Sequence, residues 1–375
     1  MVTNPDVIII GGGLAGLIAG IHLSRSGLKI TLIEKSGYPR HKVCGEYISN
    51  EILPYLKWLG ADVSILNPTT ISNFEFSTPK GKMAKAKLPL GGFGISRYAL
   101  DYFLYQKVIE NGCLVLQEAV NNIIFSNDAF TVTTPNETLT SKFVLGAYGK
   151  RSNIDQLLTR NFIKKNSPWL AVKAHYSGNF PADVVGLHNF KGGYCGVSKV
   201  ENNSINICYL ADYATFKKYK NIDDYQRNVL CNNPHLKNIF DNSKHLFDNP
   251  ITISQISFDK KLPVEDHVLM IGDAAGLIHP LCGNGMAMAI HSAKIASELV
   301  LDFYSEKIQS RDWLEKKYTQ CWKTHFGKRI TTGRLLAKVL TLPLITNMLI
   351  AIAVAMPALL PKIIKQTHGK PILIN

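Results

Sequence analysis

The feature that most constrains the fold is a glycine-rich turn between a short apolar segment and a helical one. Residues 6–10 are rich in β-branched side chains and predict a buried parallel strand. Residues 14–26 place apolar side chains at helical spacing, and residues 29–34 predict a second strand. The turn carries three spaced glycines, Gly11, Gly13 and Gly16. This βαβ order predicts a parallel sheet with helices on its faces.

The three glycines occur where a dinucleotide phosphate requires them. Gly11 permits the tight turn, Gly13 lets a pyrophosphate approach the backbone, and Gly16 lets the helix pack against the strand. The first N–H groups of the helix, at Leu14 and Ala15, face the phosphates at the positive end of the helix dipole. The alternative is a glycine-rich turn without a ligand.

An acidic residue stands at the end of the second predicted strand. Glu34 can accept both ribose hydroxyls of an adenosine, and Lys35 beside it is included in the predicted site. Glu34 and the glycine turn together indicate an adenine dinucleotide. This pattern alone does not separate FAD from NAD.

A second glycine-rich segment, near the other end of the chain, makes that distinction. Gly272 and Asp273 follow a strand predicted over residues 267–271, in the form of an FAD motif whose aspartate bonds a ribityl hydroxyl. A helix is predicted to follow over residues 283–303, and its dipole and free N–H groups would stabilise negative charge on a flavin. The residues that open this helix are Gly283, Asn284 and Gly285. The predicted cofactor is therefore FAD.

With these motifs, the chain resembles the geranylgeranyl-reductase-like branch of the flavoproteins that share the p-hydroxybenzoate hydroxylase fold. The sequence Lys-Val-Cys-Gly-Glu at residues 42–46 matches a Cys-Gly segment that lies near the flavin in that branch. The resemblance therefore implies flavin contacts for Cys44 and Gly45. Arg97 matches an arginine that contacts the flavin side of FAD, and Val120 stands where these proteins hold adenine through the backbone.

The resemblance implies an α/β fold, α+β overall, with a Rossmann-type FAD-binding domain, an antiparallel-sheet substrate domain and a C-terminal helical tail. We expect a discontinuous FAD-binding domain at residues 1–167 and 264–310. The substrate domain is expected at residues 168–263, with part of 60–100, because short alternating segments and turns fill that region. A basic and apolar helical tail is expected at residues 311–375.

Two departures from the sequences of related flavoproteins narrow the range of reactions expected for this protein. Tyr148 replaces the aspartate of aromatic hydroxylases, so their NADPH-linked use of that loop does not carry over. Lipid reductases carry Tyr-x-Trp-x-Phe-Pro along the isoprenoid tunnel, and only Tyr194 remains of it here. No tryptophan lies in the Trp-x-Trp-x-Ile-Pro context of flavin-dependent halogenases, so halogenation is disfavoured.

We expect an enzyme that acts on a hydrophobic organic substrate, either a small molecule or one bound to a carrier protein. Oxygen activation for hydroxylation or epoxidation is slightly favoured over reduction of a carbon–carbon double bond, because the lipid-tunnel motif is incomplete. The sequence lacks a second Gly-x-Gly-x-x-Gly, which predicts that NAD(P)H reduces the flavin by transient binding. Another electron carrier, and a flavin-binding redox or membrane protein without turnover, remain open alternatives.

Catalytic candidates follow from the position implied for the flavin. Cys44 and Glu46 could relay a proton, or Cys44 could pack on the ring while Glu46 pairs with a cation such as Lys42. Tyr194 could line the substrate pocket or belong to the core. His279 is interpreted as part of its loop more readily than as an acid or base. No metal site is predicted.

Seven cysteines without a Cys-x-x-Cys pair argue against a dithiol redox centre and suggest reduced thiols in the cytoplasm. The net charge of +14 is concentrated towards the C-terminus, because the last acidic residue is Glu315. Ten basic residues follow it, at positions 316, 317, 323, 328, 329, 334, 338, 362, 365 and 370. Such a region suits an anionic membrane surface or an acidic carrier protein, and no nucleic-acid motif accompanies it.

Within this tail, residues 339–361 carry no charge. The segment is long enough to span a bilayer, but two prolines and an asparagine, Pro343, Asn347 and Pro357, favour other arrangements. One is a helix pair at the membrane surface, flanked by basic residues. The other is a set of helices that closes the substrate domain. The expected location is cytoplasmic, with peripheral contact at the cytoplasmic membrane face as an option.

Overall fold

The computed structural model describes residues 4–340, 348, 351, 352, 354, 356 and 358–374. The strands are β1 Val7–Ile10, β2 Ile30–Ile33, β3 Tyr47–Ser49, β4 Thr69–Ser77, β5 Met83–Gly94, β6 Leu114–Leu116, β7 Asn122–Ser126, β8 Ala129–Thr133, β9 Thr138–Ser141, β10 Phe143–Gly146, β11 Trp169–Gly178, β12 Val184–Phe190, β13 Gly193–Lys199, β14 Ile205–Asp212, β15 Ser243–His245, β16 Ile251–Ser254, β17 Val264–Glu265 and β18 Val268–Met270. The helices are α1 Leu14–Arg25, α2 Leu53–Trp58, α3 Arg97–Glu110, α4 Asn153–Leu157, α5 Tyr213–Phe216, α6 Ile222–Asn228, α7 Pro234–Asp241, α8 Gly285–Tyr304, α9 Arg311–Leu340 and α10 Leu359–Thr367.

The first sheet is the predicted parallel one. Its strand order is β17-β18-β10-β1-β2-β6, and every pairing is parallel except that of the edge strand β17. All residues of β1, β2, β10 and β18 are buried, as expected for strands covered on both faces. Helix α1 packs against α3 and α8, so the two ends of the chain meet in one core. The βαβ unit and the strand predicted over 267–271 are confirmed.

The second sheet contains the antiparallel strands predicted after residue 168. Its order is β15-β11-β14-β13-β12-β4-β5-β3, and β16 also pairs with β11. Strands β4 and β5, within residues 60–100, belong to this sheet, as does β3. A third sheet, β7-β8-β9, forms a small antiparallel meander. The mixed α/β fold class is confirmed.

The tail begins with α9, whose inward side chains recur every four residues. These buried side chains are Leu314, Tyr318, Trp322, Phe326 and Ile330. The helix packs against α8, and the Tyr318 hydroxyl donates a hydrogen bond to the Met270 carbonyl over 2.5 Å. Helix α10 returns to pack against α9 and β5. The first part of the tail therefore covers the parallel-sheet side, and α10 covers an outer strand of the second sheet.

Most of the uncharged segment at residues 339–361 lies outside the described residues, so the arrangements expected for it stay predictions. Among the helices that the structure does describe, none is both long and apolar enough to cross a bilayer.

Candidate active site

The glycine turn adopts a shape that side chains would prevent. Gly11 has a φ of +108°, and a Cβ there would lie 2.5 Å from the carbonyl oxygen of Ala147. A Cβ on Gly16 would lie 1.9 Å from the Gly11 carbonyl oxygen. At Gly13, by contrast, the nearest atom to an added Cβ is the Lys42 Nζ at 3.9 Å. The backbone is therefore tightly packed on the strand side and open on the side where a pyrophosphate would approach.

Lys42 adds a positive charge beside this open turn. Its ammonium pairs with the buried Asp101 carboxylate over 3.1 Å, and burial lowers its pKa below the usual value. No side chain caps the start of α1, whose first turn also lacks an acidic residue. Free backbone donors and a nearby ammonium are what a diphosphate needs. The sequence analysis had assigned Lys42 only as a possible partner of Glu46.

Glu34 is buried at the end of β2 beside the turn. Its carboxylate accepts hydrogen bonds from the Gly12 N–H over 2.8 Å and the Ser36 N–H over 3.0 Å, and it pairs with Arg40 over 2.9 Å. Burial alone would raise its pKa, but Arg40, Lys42 and the Gly12 N–H together hold the pKa below the usual value. A permanent carboxylate with spare lone pairs suits two ribose hydroxyls.

Two further residues of the predicted site lie where the adenosine of FAD is expected. Lys35 is exposed just after Glu34, and Val120 is half-buried between β6 and β7. Their cofactor contacts stay predictions.

The two glycine-rich segments, although far apart in sequence, lie side by side. A Cβ on Gly272 would be 3.0 Å from the Cβ of Ala15 in the first turn of α1. The Gly272 N–H donates to the Ser292 hydroxyl of α8 over 2.8 Å, which ties the end of the parallel sheet to that helix. The predicted convergence of both motifs on one ligand is therefore geometrically possible.

Two buried cations fix the loop that carries Asp273. The Lys261 ammonium donates to the Asp273 carbonyl oxygen over 2.8 Å, and the Arg160 guanidinium donates to the Ala274 carbonyl oxygen over 2.9 Å. Burial lowers the pKa of Lys261 to about 8. Arg160 also pairs with Asp155 over 2.9 Å. Neither cation was predicted, because Arg160 stands between Thr159 and Asn161 and Lys261 follows another lysine, so neither stands out in the sequence.

The start of α8 combines open donors with a polar anchor. Gly283 has a φ of +61°, and neither a side-chain cap nor an acidic residue occupies the first turn of the helix. Asn284 donates to the buried Glu51 carboxylate over 2.9 Å and accepts from Arg329 over 3.2 Å. Burial raises the pKa of Glu51 despite the charge of Arg329. The N–H groups of this helix are thus positioned for the negative charge of a flavin.

Cys44 lies at this same helix start. Its thiol contacts the Met286 sulfur in the first turn of α8 over 3.5 Å and also interacts with the Arg97 guanidinium. Arg97 is held by two hydrogen bonds to the Asp101 carboxylate, over 2.6 and 2.7 Å. Burial alone would lower the pKa of Arg97, but Asp101 more than offsets that effect and raises it. The predicted flavin-side residues Cys44 and Arg97 are therefore brought together.

Glu46 is fully buried with a positive φ of 53° and three donors around its carboxylate. Lys173 and His175 on β11 each approach it at 2.6 Å, and the Arg97 N–H donates to it over 2.7 Å. Burial would raise the pKa of Glu46, but the His175 hydrogen bond and the Lys173 charge hold it below the usual value. A cation does pair with Glu46, but the suggestion of Lys42 was wrong, because Lys42 pairs with Asp101.

His41 completes this buried group, and three of its members have the spacing of metal ligands. Ligand atoms of His41, Glu46 and His175 lie within 4.8 Å of one another. The Lys173 ammonium, however, is 2.6 Å from the same carboxylate and would repel a metal cation. Burial lowers the pKa of His41 to about 4, so its ring is neutral near pH 7.

The 42–46 segment joins the two sheets. The Cys44 carbonyl accepts from the Asn206 amide over 3.2 Å, and the Gly45 carbonyl accepts from the Ser198 hydroxyl over 3.5 Å. Since Asn206 is on β14 and Ser198 on β13, the second sheet forms the wall opposite the start of α8. A substrate that meets a flavin here would lie between these two walls.

Tyr194 and His279 pack together in this region. Tyr194 is half-buried, and the centroid of its ring is 5.8 Å from that of His279. His279 accepts weakly from the Leu281 N–H over 3.5 Å, and burial lowers its pKa to about 4. The loop interpretation of His279 agrees with this capping contact. The ring of Tyr194 packs against two small apolar clusters without being fully buried, and its catalytic role stays a prediction.

The residues present therefore fit FAD. One open helix start and one ammonium would hold the diphosphate, a buried carboxylate would hold the adenosine ribose, and a second open helix start would face the flavin. When bound, the cofactor would be held by the backbone at Gly13 and Gly283 and by the side chains of Glu34 and Arg97.

Comparison with known proteins agrees with this geometry. A family model described as an FAD binding domain matches residues 4–320. The chain is 26% identical over 355 residues to conditioned medium factor receptor 1 of Dictyostelium discoideum, covering 86% of this chain and 68% of that protein. It is 24% identical over 342 residues to a digeranylgeranylglycerophospholipid reductase of Methanococcus vannielii, covering 86% and 83% of the two chains.

The fold is also that of solved flavoproteins. A flavin-dependent brominase superposes with a TM-score of 0.80 at 18% identity, over 97% of this chain and 93% of that one. Because the family model covers most of the chain, the chain belongs to the FAD-binding-domain family and is an FAD-dependent oxidoreductase.

Proposed function

We propose that the protein reduces a carbon–carbon double bond in a hydrophobic substrate, with Cys44 as the proton donor. Bound FAD, once reduced, supplies the hydride for such a reaction. The second carbon of the double bond needs a proton from a group on the protein. The observation that carries the proposal is the Cys44 thiol at the start of α8, between Met286 and Arg97.

The surroundings of Cys44 suit proton donation. The guanidinium of Arg97 would stabilise the thiolate that remains after the proton leaves Sγ, and solvent would then restore the thiol. Glu46 supports this arrangement indirectly, because its carboxylate accepts the Arg97 N–H over 2.7 Å. Lys173 and His175 hold Glu46 in turn, so these three residues act as positioning residues.

The same thiol makes oxygen activation the weaker option. Cysteines that solvent can reach are oxidised by reactive oxygen species, and Cys44 is only half-buried. The similarity to the Methanococcus vannielii reductase also favours double-bond reduction. The slight preference for monooxygenase chemistry in the sequence analysis stays a prediction.

We further propose NAD(P)H as the transient reductant. The described fold contains one parallel sheet, and FAD would use its glycine turn, so a nicotinamide would bind in the cleft between the sheets.

The proposal is tested with FAD-loaded protein under anaerobic conditions. NADH or NADPH is added, flavin bleaching is followed by absorbance, and polyprenyl lipids are offered as substrates. Double-bond reduction adds two mass units per bond and needs no oxygen. A product heavier by one oxygen atom, formed only in air, would instead establish monooxygenation.

Substitution of Cys44 separates the two half-reactions. Cys44→Ser should lower product formation by about 100-fold, because general acid catalysis contributes on that scale, while bleaching by NAD(P)H is unchanged. Cys321→Ser is the matched control, since this thiol lies on α9 and should leave both steps intact. Equal product formation by Cys44→Ser and wild type would remove Cys44 from the mechanism.

A further inference from the structure

The C-terminal part of the chain combines positive charge with exposed apolar side chains. We define the basic tail as residues 316–374, which contain ten Lys and Arg residues and no Asp or Glu. Large apolar side chains on its described residues are exposed, by 61% at Leu335 and 74% at Leu373. The others are Met348, Ile352, Val354, Met356, Ile363 and Ile374. A soluble surface would not normally keep so many aliphatic side chains in water along one segment.

Helix α10 shows how the positive charges and the exposed apolar side chains are arranged. Lys362, Ile363 and Lys365 are exposed, whereas Thr367 is buried and the helix packs on β5 and α9. The inner side of the helix is thus anchored to the body of the protein, and its outer side presents ammonium groups around an aliphatic side chain. This is the composition of a helix that lies in a membrane interface.

A cavity of about 490 Å³ opens between this helix and β5. Its walls include the apolar side chains of Leu88, Leu90 and Ile364, and the ammonium groups of Lys365 and Lys370 also line it. Apolar walls with two cations suit a phospholipid whose anionic headgroup meets the lysines.

The charge of the tail selects among possible partners. A second copy of the chain would bring two acid-free basic tails together, which opposes association. Nucleic acid would match the charge but not the aliphatic side chains. An acidic protein would match the charge, but a bilayer offers both anionic headgroups for the lysines and hydrocarbon for the exposed aliphatic side chains of the described tail residues.

We propose that the basic tail docks the protein on an anionic phospholipid membrane surface, with the exposed aliphatic side chains entering the interface. The proposal concerns where the protein works and does not depend on which reaction it performs. Docking at this face would place the cavity beside α10 at the lipid surface, where a hydrophobic substrate is concentrated.

The test is co-sedimentation of the full, FAD-loaded chain with sucrose-loaded vesicles. Vesicles of phosphatidylcholine alone are compared with vesicles that contain one quarter phosphatidylglycerol. We expect binding to the anionic vesicles, weakened by added salt, and little binding to the neutral ones. Equal binding to both vesicle types, or binding to neither, would overturn the proposal.

Charge reversal locates the docking surface. The triple variant Lys362→Glu, Lys365→Glu, Lys370→Glu should bind anionic vesicles about 100-fold more weakly. The matched control reverses three exposed lysines of the second-sheet side, Lys217, Lys218 and Lys220, to Glu, which gives the same net charge. If the control loses as much affinity as the tail variant, net charge alone is responsible and the tail is not the docking surface.

Replacing two exposed aliphatic side chains by serine tests whether these side chains enter the membrane interface. Ile363→Ser with Leu373→Ser should weaken vesicle binding about 10-fold even at high salt, since two buried aliphatic side chains would be lost from the interface. Unchanged binding would contradict insertion. Binding of the wild type to an acidic acyl carrier protein, but not to anionic vesicles, would assign the tail to a protein partner instead.

Discussion

At the scale of single residues, the centre of the molecule depends on charges that have been removed from water. Glu46 and Lys173 are both fully buried and lie 2.6 Å apart, so each is tolerable only because the other is present. His175 and the Arg97 N–H fill the remaining acceptor positions of the carboxylate. Such a set is rigid, because moving one member leaves another unpaired.

Breaking this pair should be costly, and removing both charges should not. Glu46→Gln leaves the Lys173 ammonium buried without its carboxylate and should lower the free energy of unfolding by about 3–5 kcal/mol. Adding Lys173→Met should recover most of that loss. The measurement is urea unfolding of the two single variants and the double variant.

An exposed ion pair provides the comparison. Lys237 and Asp241 lie 2.6 Å apart on α7 with both side chains largely in water. Asp241→Asn should leave the urea midpoint unchanged. Additive losses in the Glu46 and Lys173 double variant would show that the two buried groups are not coupled.

A buried histidine should make the fold sensitive to acid. Burial, aided by the charge of His235, lowers the pKa of His188 from 6.5 to about 3. The unfolded chain therefore takes up this proton first, and stability present above pH 6.5 is lost as the pH falls towards 3. Between pH 6.5 and 5 the loss from this one group is about 2 kcal/mol.

The measurement is urea unfolding of wild type and His188→Gln at several pH values. Glutamine can still bond the Ser77 hydroxyl, which lies 2.9 Å from His188 Nδ1. The variant should show a correspondingly smaller decrease in stability below pH 6.5. Parallel pH curves for the two proteins would mean that folding does not lower the pKa of His188.

At the scale of elements, the strands that could be predicted are those whose sequence is a continuous run of apolar residues. The fully buried runs of β1, β2 and β18 were predicted because continuous apolar segments next to glycines are characteristic of parallel strands. Strand β5 was not, because its 12 residues are mostly half-buried or exposed and include two lysines. Partial burial in a long hairpin leaves little periodicity to detect.

Only part of the candidate site could be predicted from the sequence, for a similar reason. Its backbone features follow from local glycines, whereas the partners of Glu46 come from β11, more than 120 positions away. Lys173 and His175 alternate within the otherwise apolar β11, so they share one face of the strand. That alternation can be recognised in the sequence. The carboxylate that Lys173 and His175 contact, however, depends on how the two sheets pack.

The loop before α8 gives a prediction about cofactor retention. Lys261→Met removes the hydrogen bonds from the ammonium to the carbonyl oxygens of Asp273 and Lys150, each 2.8 Å long. Because bonds from charged donors contribute about 1.5–3 kcal/mol, the Kd for FAD should rise roughly 10- to 100-fold. The measurement is fluorescence of released FAD on dilution.

Its control is the neighbouring lysine. Lys260→Met changes an exposed side chain in the same segment and should leave the Kd for FAD unchanged. If both variants release FAD equally, the effect comes from altered net charge, and the fixed loop at Asp273 is not required for retention.

At the scale of the whole molecule, the basic tail and the predicted flavin site share one buried acid. The Ile372 N–H donates to the Glu51 carbonyl over 2.8 Å, so the chain beyond α10 is fixed to this residue. The carboxylate of Glu51 in turn holds Asn284, directly before α8. A membrane that displaces the end of the tail would therefore alter the support of the helix start that faces the flavin.

This connection predicts that lipid binding is detectable at the flavin. Anionic vesicles should change the flavin fluorescence of the FAD-loaded wild type. In Gly369→Ala the added methyl would lie 2.2 Å from the Glu51 Oε2 and 2.4 Å from the Arg329 Nη2, which forces the acid and the tail apart. The variant should still bind vesicles, because its exposed lysines are intact, but its fluorescence should no longer respond.

Gly327→Ala is the matched control, since its added methyl would meet only the Lys323 side chain at an ordinary 3.6 Å within the described structure. It should keep both vesicle binding and the fluorescence response. A response that survives in Gly369→Ala would show that the membrane acts on the flavin by another route. If wild-type protein binds vesicles with no spectral change, the tail serves as an anchor alone, because docking then leaves Glu51 and Asn284 in place.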